Sequence, residues 1–383
     1  MKKVFQFFVS IITMSVTMHV FALTNSATIN WMSQIPDNRT LNQLIIPGTR
    51  DSGTADITEN TYFSYNGQTP LPLWLQVIAN IVPHSILRGI TADWSKTQPY
   101  SITQQLNSGI RYFDFQVCHE NLPGRATDFY LCNSLISGPL ADAVDNIVMF
   151  VSAHPSELVM INISHVYGVE NTLQETALVS LLNALLFNVD VPNTLTPNGT
   201  MGALRQTNRH VIIFMDPQYD VQDPGQLLKK FEELYLWHNA SIDAPQPNAS
   251  DISTLKQTLD AEVALRASTH NTSHQFFVLQ ATQTPSPTNV IDGILNKNQY
   301  PHSLQGYEQP VNDHLNDWLG AYIEKYHAFA LNIVTQDWFT DSSPLVNLAM
   351  KYDSLPEDTS NINHEEKTDL QQKLLQLKKL YKH

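Results

Sequence analysis

Polar side chains stand at or near the ends of several predicted strands, where they could act together. They are Arg50, Asp51, Asp114, Gln116, Asn133, Ser164, His165, Asp216 and Asp337. An arginine can hold an anion such as a phosphate through paired N–H groups. The same set is poorly equipped for proton transfer, because arginine stays protonated and an asparagine amide has no proton that titrates. The set is therefore acidic, polar and poor in histidine.

Apolar, strand-like stretches alternate with amphipathic helical stretches along the chain, a pattern typical of a parallel sheet wrapped by helices. The predicted strands are residues 44–47, 110–117, 129–132, 158–163, 210–215, 276–280 and 330–335. Helices are predicted at 172–187, 253–266 and 311–326, and a further one starts at a capping box at 101–104 and stops at Gly109. Seven strands favour an α/β fold with a distorted (β/α) TIM-like barrel in a single domain. In such a barrel, chemistry occurs at the carboxyl ends of the strands.

Composition limits the partners of this chain. It has 22 basic and 36 acidic residues, a net charge of −14. Such a chain is repelled by nucleic acid, so we expect no nucleic-acid partner. A lipid would have to be reached through a local patch.

The two ends of the chain differ from its middle. Residues 1–22 have a basic start, an apolar stretch and a small-residue cleavage site, which together predict a signal peptide and a secreted or periplasmic protein. The barrel would then occupy residues 23–356, and residues 357–383 would form a polar tail with a short helix. Cys118 and Cys132 lie near the ends of two consecutive predicted strands. They could pair in an oxidising compartment or stay as two small buried side chains.

Residues 63–90 follow the first predicted strand and are rich in apolar residues, including Trp74. This segment could touch a membrane interface transiently. It could also be a lid that packs on the barrel rim, which is the more usual arrangement for apolar surface in a soluble protein.

Several ordered blocks resemble one known family. They read IPGTRDS at 46–52, WSKTQ at 94–98, SITQQL at 101–106, GIRYFD at 109–114, NISHVYG at 162–168 and NIVTQD at 332–337. In these blocks the chain resembles the phosphatidylinositol-specific phospholipase C X-domain family, especially its small single-domain members. The resemblance implies an irregular barrel and cleavage of an inositol phospholipid, without a cofactor. In that reaction the ring 2-hydroxyl attacks phosphorus, while one histidine acts as base and another as acid.

The positions that the family uses for catalysis are substituted in a concerted way. Arg50 stands where the family has its base histidine, Gln116 where it has a phosphate-facing arginine, and Asn133 where it has its acid histidine. Asp51, Asp114 and Asp337 remain at their expected places. Three aspartates on distant strands lack the ligand spacing of a metal site, so no metal is expected.

Three hypotheses follow from this pattern. In the first, the protein is a catalytically impaired member that binds an inositol-phosphate or other phosphodiester headgroup through Arg50, Asp114, Asn133 and Asp337. In the second, it is an active phosphodiesterase in which Arg50 binds phosphate and His119 is the acid/base. In the third, it is a non-catalytic interaction scaffold. His165 is interpreted in all three as a structural histidine.

Overall fold

The computed structural model describes residues 27–64, 83–124, 127–216, 235–269 and 274–355. Its strands are β1 (Ile46–Thr49), β2 (Tyr112–Glu120), β3 (Asp128–Asn133), β4 (Leu135–Pro139), β5 (Val159–Tyr167), β6 (Val211–Phe214), β7 (Leu236–Trp237), β8 (Ile242–Asp243), β9 (Phe276–Gln280) and β10 (Ile333–Gln336). Its α-helices are α1 (His84–Ser95), α2 (Ile102–Asn107), α3 (Leu140–Ala153), α4 (Thr172–Leu186), α5 (Met201–Thr207), α6 (Ile252–Thr269), α7 (Pro287–Leu295), α8 (Leu304–Tyr326) and α9 (Leu345–Asp353).

The main strands form one curled, parallel sheet in the order β7-β6-β5-β2-β1-β10-β9-β8. The two edges of this sheet approach each other inside the barrel, where the Phe276 ring of β9 lies 5.7 Å from Phe214 of β6 and 5.9 Å from Trp237 of β7. This arrangement confirms the distorted (β/α) barrel in a single domain. It also brings the carboxyl ends of β1, β2, β5 and β10 to one mouth.

Alternation along β2 separates the two sides of the sheet. Phe113, Phe115 and Val117 point outward into the apolar cluster beneath α3 and α4, whereas Tyr112 joins the core on the other side. Side chains two residues apart in a strand share a face. Asp114 and Gln116 therefore follow Tyr112 to the inside of the barrel.

The third predicted strand does not belong to the parallel sheet. β3 pairs antiparallel with β2 and continues into β4, a strand that the sequence did not predict. A disulfide joins Cys118 in β2 to Cys132 in β3, with their Cα atoms 6.1 Å apart. The expectation that β3 is a parallel barrel strand is wrong, because residues 121–127 are too short a connection for a parallel crossover.

Some sequence signals for helix ends are confirmed by the structure, and one predicted helix start is not. Ser101 and Gln104 form the predicted capping box at α2. Gly109 follows this helix with φ of +101°, and a Cβ there would lie 2.5 Å from Val346 Cγ1, so glycine is required. The helix predicted at 311–326 begins earlier, at Leu304, and contains Pro310.

Three predictions lie outside the described residues: the signal peptide at 1–22, most of the apolar segment at 63–90 with Trp74, and the tail at 357–383. Within the described ranges, no helix combines the length and the apolar character that a membrane span requires.

Candidate functional site

The turn after β1 places two charged residues at the barrel mouth. Asp51 has φ of +42°, a left-handed conformation that aspartate tolerates better than most residues. Ser52 locks this turn to β2: its N–H donates to Asp114 O at 2.8 Å, and its Oγ accepts from Asp114 N–H at 2.9 Å. Arg50 and Asp51 are thereby held beside Asp114.

Asp51 is the acceptor at which two of the substituted positions meet. Gln116 Nε2 donates to Asp51 Oδ1 at 2.5 Å, and Asn133 Nδ2 donates to Asp51 Oδ2 at 3.3 Å. Burial raises the pKa of Asp51, while the charge of Arg50 and the bond from Gln116 act against this rise. These residues are predicted from the sequence to share one site, and the structure brings them together.

Arg50 and Asp337 form an ion pair at the end of β10. Arg50 Nη2 lies 2.8 Å from Asp337 Oδ2, and the side chains are 17% and 0% exposed. Burial lowers the pKa of Arg50, but Asp337, Asp51 and Glu308 more than offset this and raise it. The guanidinium is therefore permanently charged. It is held by Asp337 and is accessible from the barrel mouth.

Glu308 in α8 is a charged residue that the sequence reasoning missed. It is fully buried, and its Oε1 accepts Gln283 N–H at 2.8 Å. Burial and the neighbouring Asp337 raise its pKa well above the usual range, and Arg50 opposes this. One signal could have found it, since Glu308 lies on the apolar stripe of α8 made by Leu304, Val311 and Leu315.

Asp114 has an unusual proton affinity. Burial, followed by the charge of Asp51, raises its pKa to about 7, although a bond from Ser164 and the charge of Arg50 lower it. The pKa of Asp337 is also raised to about 7 by burial, and then by Asp51, against the charge of Arg50. Burial therefore brings the pKa values of two carboxyl groups at the mouth close to neutrality, which their residue types alone do not indicate.

A cavity of about 470 Å³ opens at this end of the barrel. Its lining includes Arg50, Asp51, Asp114, Gln116, Asn133, Ser134, Ser164 and His165, with Ile90, Thr91, Trp94, Val290 and Leu304 on its apolar side. A second cavity of about 240 Å³ adjoins it and shares Asp114, Ser164, His165 and Gln246. Charged, amide and aromatic groups thus surround a space large enough for a small ligand.

Of the two histidines considered from sequence, His165 lines the cavity and His119 does not. His119 lies on the outer face of β2, with its ring centroid 4.8 Å from that of Phe129 at a tilt of 35°, and with Nδ1 3.2 Å from Gly168 O. It does not line the cavity that holds Arg50. His165, interpreted as structural, instead lines both cavities, stacks on Tyr167 at 5.7 Å and contacts Ser164 Oγ through Nδ1 at 3.3 Å. Side chains alternate along β2, so His119 points to the opposite face from Gln116 and away from the cavity.

Asp216 is also absent from the cavity walls. It accepts Asn239 N–H and pairs with His238 at 3.3 Å on the surface. Among the described residues, no group of three or more histidine, cysteine, aspartate or glutamate side chains has an arrangement that could hold a metal ion.

The comparisons place this geometry in a known group. The family model PI-PLC X 1 matches residues 84–285, slightly more than half of the chain. The chain belongs to the PI-PLC X-domain family. Human PI-PLC X domain-containing protein 2 is 28% identical over 283 residues, which is 72% of this chain and 84% of the relative. Mouse PI-PLC X domain-containing protein 3 is 23% identical over 329 residues, covering 84% and 92% of the two chains.

Solved structures agree on the fold. Phosphatidylinositol-specific phospholipase C from Listeria monocytogenes superposes with a TM-score of 0.54 at 17% identity, over 85% of this chain and 98% of that chain. A mutant of the Staphylococcus aureus enzyme gives 0.55 at 14% identity, over 87% and 98%. At these identities the likeness concerns the barrel alone. Arg50, Asp51, Glu308 and Asp337 lie outside the segment that the family model matches.

Proposed function

We propose that this PI-PLC X-domain protein binds an inositol-phosphate or similar phosphodiester headgroup and has lost the family's rapid cleavage reaction. The position of Arg50 carries this proposal. Its guanidinium faces a cavity that it shares with Asp114 and Asn133, while Asp337 holds it from behind. In this scheme the guanidinium takes the phosphate oxygens, and the carboxyl and amide groups take ring hydroxyls.

The substitutions support the loss of rapid cleavage. Neither Arg50 nor Asn133 can exchange a proton at accessible pH. A general acid or base contributes roughly 10²- to 10⁴-fold to a rate, so removal of both leaves little of it. Gln116 offers one amide dipole where the family has a cation, and that amide is already bonded to Asp51.

A second candidate function rests on His165. It lines the cavity, and within the described ranges its Nε2 has no hydrogen-bond partner. It shares the cavity with Asp114, whose pKa is raised to about 7 mainly by burial, so that this carboxyl group can exchange a proton near neutrality. Slow phosphodiesterase activity would then depend on His165 rather than on His119.

Titration calorimetry with glycerophosphoinositol tests the first function. We expect binding by the unaltered protein, and a loss of at least tenfold in affinity in Arg50→Gln because a charged hydrogen bond is removed. Lys351→Gln, which removes one positive charge from an exposed part of α9, is the matched control and should bind normally. Binding that is unaffected by Arg50→Gln would refute this function. No binding by any variant would favour the interaction scaffold.

The same preparations, incubated with radiolabelled phosphatidylinositol, test the second candidate. Turnover that disappears in His165→Asn and persists in His119→Asn would establish it. Absence of turnover over long incubation would exclude it.

The proposal includes export and transient lipid contact, both supported by sequence alone. Cleavage of residues 1–22 predicts an extracytoplasmic protein, and the apolar segment at 63–90 predicts contact with a lipid surface. Amino-terminal sequencing of the mature protein tests the first, because a chain that retains Met1 contradicts it. Flotation with phosphatidylinositol vesicles tests the second, because Trp74→Ala should reduce co-flotation.

A further inference from the structure

The smaller of the two cavities, which we call the inner cavity, has a volume of about 240 Å³ and adjoins the space that holds Arg50. Asp114 lines both cavities, so a ligand that occupies both would lie beside it. Among the described residues that line the inner cavity, Asp114 is the only carboxylate, and there is no lysine or arginine. The inner cavity can therefore carry a negative charge that no lysine or arginine of its own described walls balances.

Two buried oxygen atoms beside the inner cavity have no hydrogen-bond partner. Gln280 in β9 and Thr335 in β10 are register partners, are 5% and 2% exposed, and both line this cavity. Within the described part of the chain, Gln280 Oε1 and Thr335 Oγ1 are buried and unpaired. Because buried polar atoms are nearly always paired, these two oxygens indicate that a hydrogen-bonding partner enters the cavity.

Two side-chain donors around the inner cavity are directed at the protein itself. Asn162 Nδ2 donates to Asp114 Oδ1 at 3.4 Å. Gln280 Nε2 donates to Ala244 O at 3.5 Å. What this cavity offers to a ligand is therefore mainly acceptors, namely one carboxylate and the two unpaired oxygens. A primary ammonium group matches them, because it supplies three N–H donors and a positive charge and has no acceptor.

From these observations, and resting on the proposed function, we propose that the two cavities together hold a zwitterionic phosphodiester whose headgroup alcohol carries a primary ammonium, as in a phosphoethanolamine diester. The phosphate binds to the Arg50 guanidinium. The ammonium enters the inner cavity and contacts Asp114, Gln280 and Thr335. The short two-carbon link between phosphate and ammonium suits two cavities that share a wall. Gln280 and Thr335 are specificity-determining residues in this arrangement.

A polyol ring such as inositol matches the inner cavity less well. Each of its hydroxyl groups donates one hydrogen and also has lone pairs that need donors. A polyol brings no positive charge to an ionised Asp114, whereas an ammonium group is attracted to it. The zwitterion also has no net charge, so it leaves the balance between Arg50 and the surrounding aspartates unchanged.

Titration calorimetry with soluble diesters tests the proposal on the unaltered protein. We expect glycerophosphoethanolamine to bind at least about tenfold more tightly than glycerophosphoglycerol, which has the same phosphodiester but a neutral diol in place of the ammonium. Glycerophosphocholine keeps the positive charge but has no N–H donor, and it should bind about threefold or more weaker than glycerophosphoethanolamine. Glycerophosphoinositol should also bind more weakly than glycerophosphoethanolamine.

Two variants test the residues, and the ratio of the affinities for glycerophosphoethanolamine and glycerophosphoglycerol is the readout. Gln280→Met keeps a side chain of similar length and removes the unpaired oxygen, so the ratio should fall by about threefold or more. Asp114→Asn can still accept from Asn162 but loses its charge, and the ratio should fall by about tenfold. Gln299→Met and Asp145→Asn make the same changes at exposed positions and should leave the ratio unchanged.

The same headgroup is available from a soluble diester or from a phosphatidylethanolamine surface, and flotation separates the two sources. The vesicles contain phosphatidylcholine alone or equal parts of phosphatidylcholine and phosphatidylethanolamine. Flotation with the mixed vesicles alone, abolished by glycerophosphoethanolamine, would support the proposal with the lipid as the ligand. Calorimetric binding of glycerophosphoethanolamine without flotation would support it with the soluble diester as the ligand.

The contrary outcomes are distinct. Equal affinity for glycerophosphoethanolamine and glycerophosphoglycerol, or tighter binding of glycerophosphoinositol, would overturn the inference and leave the proposed function standing. A ratio that does not change in folded Gln280→Met and Asp114→Asn would also overturn it. Failure of every diester to bind the unaltered protein would overturn the proposed function itself. If neither variant folds, the ligand series on the unaltered protein decides alone.

Discussion

At the residue scale, Gln116 and Asn133 share one hydrogen-bond partner, Asp51. Gln116 and Asn133 both donate to the Asp51 carboxylate, one to each oxygen. Asp51 is also next to Arg50, whose charge lowers its proton affinity. A change at Gln116 or Asn133 therefore alters the hydrogen bonds of the Asp51 carboxylate that both share.

The triple variant Arg50→His, Gln116→Arg and Asn133→His tests whether this frame still supports catalysis. The new imidazoles would lie beside Asp51 and Asp337, carboxylates that can orient them, and the new arginine would face the phosphate. We expect phosphatidylinositol cleavage at least 10²-fold above that of the unaltered protein, measured as release of diacylglycerol. Arg50→His alone, which supplies one of the two proton-transfer groups, should give much less. A folded triple variant without activity would show that the residues have been matched wrongly.

Most of the candidate site could be predicted from the sequence, because the blocks that resemble the family lie at strand ends. The place of a residue within its block then indicates its place at the barrel mouth. Arg50, Asp51, Asp114, Gln116 and Asn133 were expected at one cavity and lie there. His165 was placed at a strand end but interpreted as structural, and Glu308 was not found, for different reasons. The inward or outward direction of a side chain near a strand end depends on strand phase, which shifts in β5 because Ile163 pairs with Phe115 whereas His165 pairs with Gln116. Glu308 was missed because the helix was predicted to begin at Val311, whereas it begins at Leu304.

At the element scale, the end of α9 is tied to the start of β1 by a buried carboxyl group. Both oxygens of Asp353 accept Ile45 N–H at 3.0 Å, and Arg39 lies 3.7 Å away. Burial raises the pKa of Asp353 to about 8, although the bond from Ile45 and the charge of Arg39 oppose this. The folded protein therefore prefers the protonated form of this residue.

This preference sets a sign for the pH dependence of stability. Because the pKa is higher in the folded state than the unfolded value near 4, the contribution of Asp353 is fully present below about pH 4 and is lost as the pH rises toward 8. In Asp353→Asn the charge is absent and an acceptor for Ile45 N–H remains. We expect this variant to be more stable than the unaltered protein at pH 8, by about 2 kcal/mol.

Urea denaturation at pH 4.5, 6 and 8 measures this difference. The advantage of Asp353→Asn should shrink as the pH falls. Asp317→Asn, an exposed change on α8, should shift stability little at any pH. A gap between Asp353→Asn and the unaltered protein that widens toward acid would contradict the assignment.

Element boundaries were predictable where local chemistry decides them. β9 occupies residues 276–280 as predicted, and the Ser101 capping box starts α2 where expected. β4 was missed because Ser137-Gly138-Pro139 is typical of a turn. It forms a strand only because β3 is beside it as a pairing partner. The short β7 and β8 likewise depend on neighbours that are distant in sequence.

At the scale of the whole molecule, β1, the first strand in the sequence, is the neighbour of β10, the last. β1 pairs with β10 from Ile46 opposite Ile333 to Thr49 opposite Gln336, and α9 then packs back toward β1. Arg50 and Asp337 follow these two strands, so the ion pair at the site requires that both ends of the barrel be folded. No amino-terminal fragment can form the site.

We therefore expect one cooperative unfolding transition. Urea curves followed by tryptophan fluorescence and by far-ultraviolet circular dichroism should coincide, because Trp31 and Trp237 belong to the same core cluster. Deletion of residues 332–383 should abolish this transition, whereas deletion of 357–383 alone should preserve it. Two separated transitions in the intact chain would contradict a single folding unit.

The covalent bridge between Cys118 and Cys132 has a practical bearing on every assay of this protein. Cys132 immediately precedes Asn133, so the bridge fixes one wall of the cavity. A chain overproduced in a reducing cytosol would lack this disulfide, and the β2–β3 hairpin could then adopt a different conformation. Failure of such a preparation to retain a ligand would reflect the host's redox chemistry, so functional work belongs with material matured under oxidising conditions.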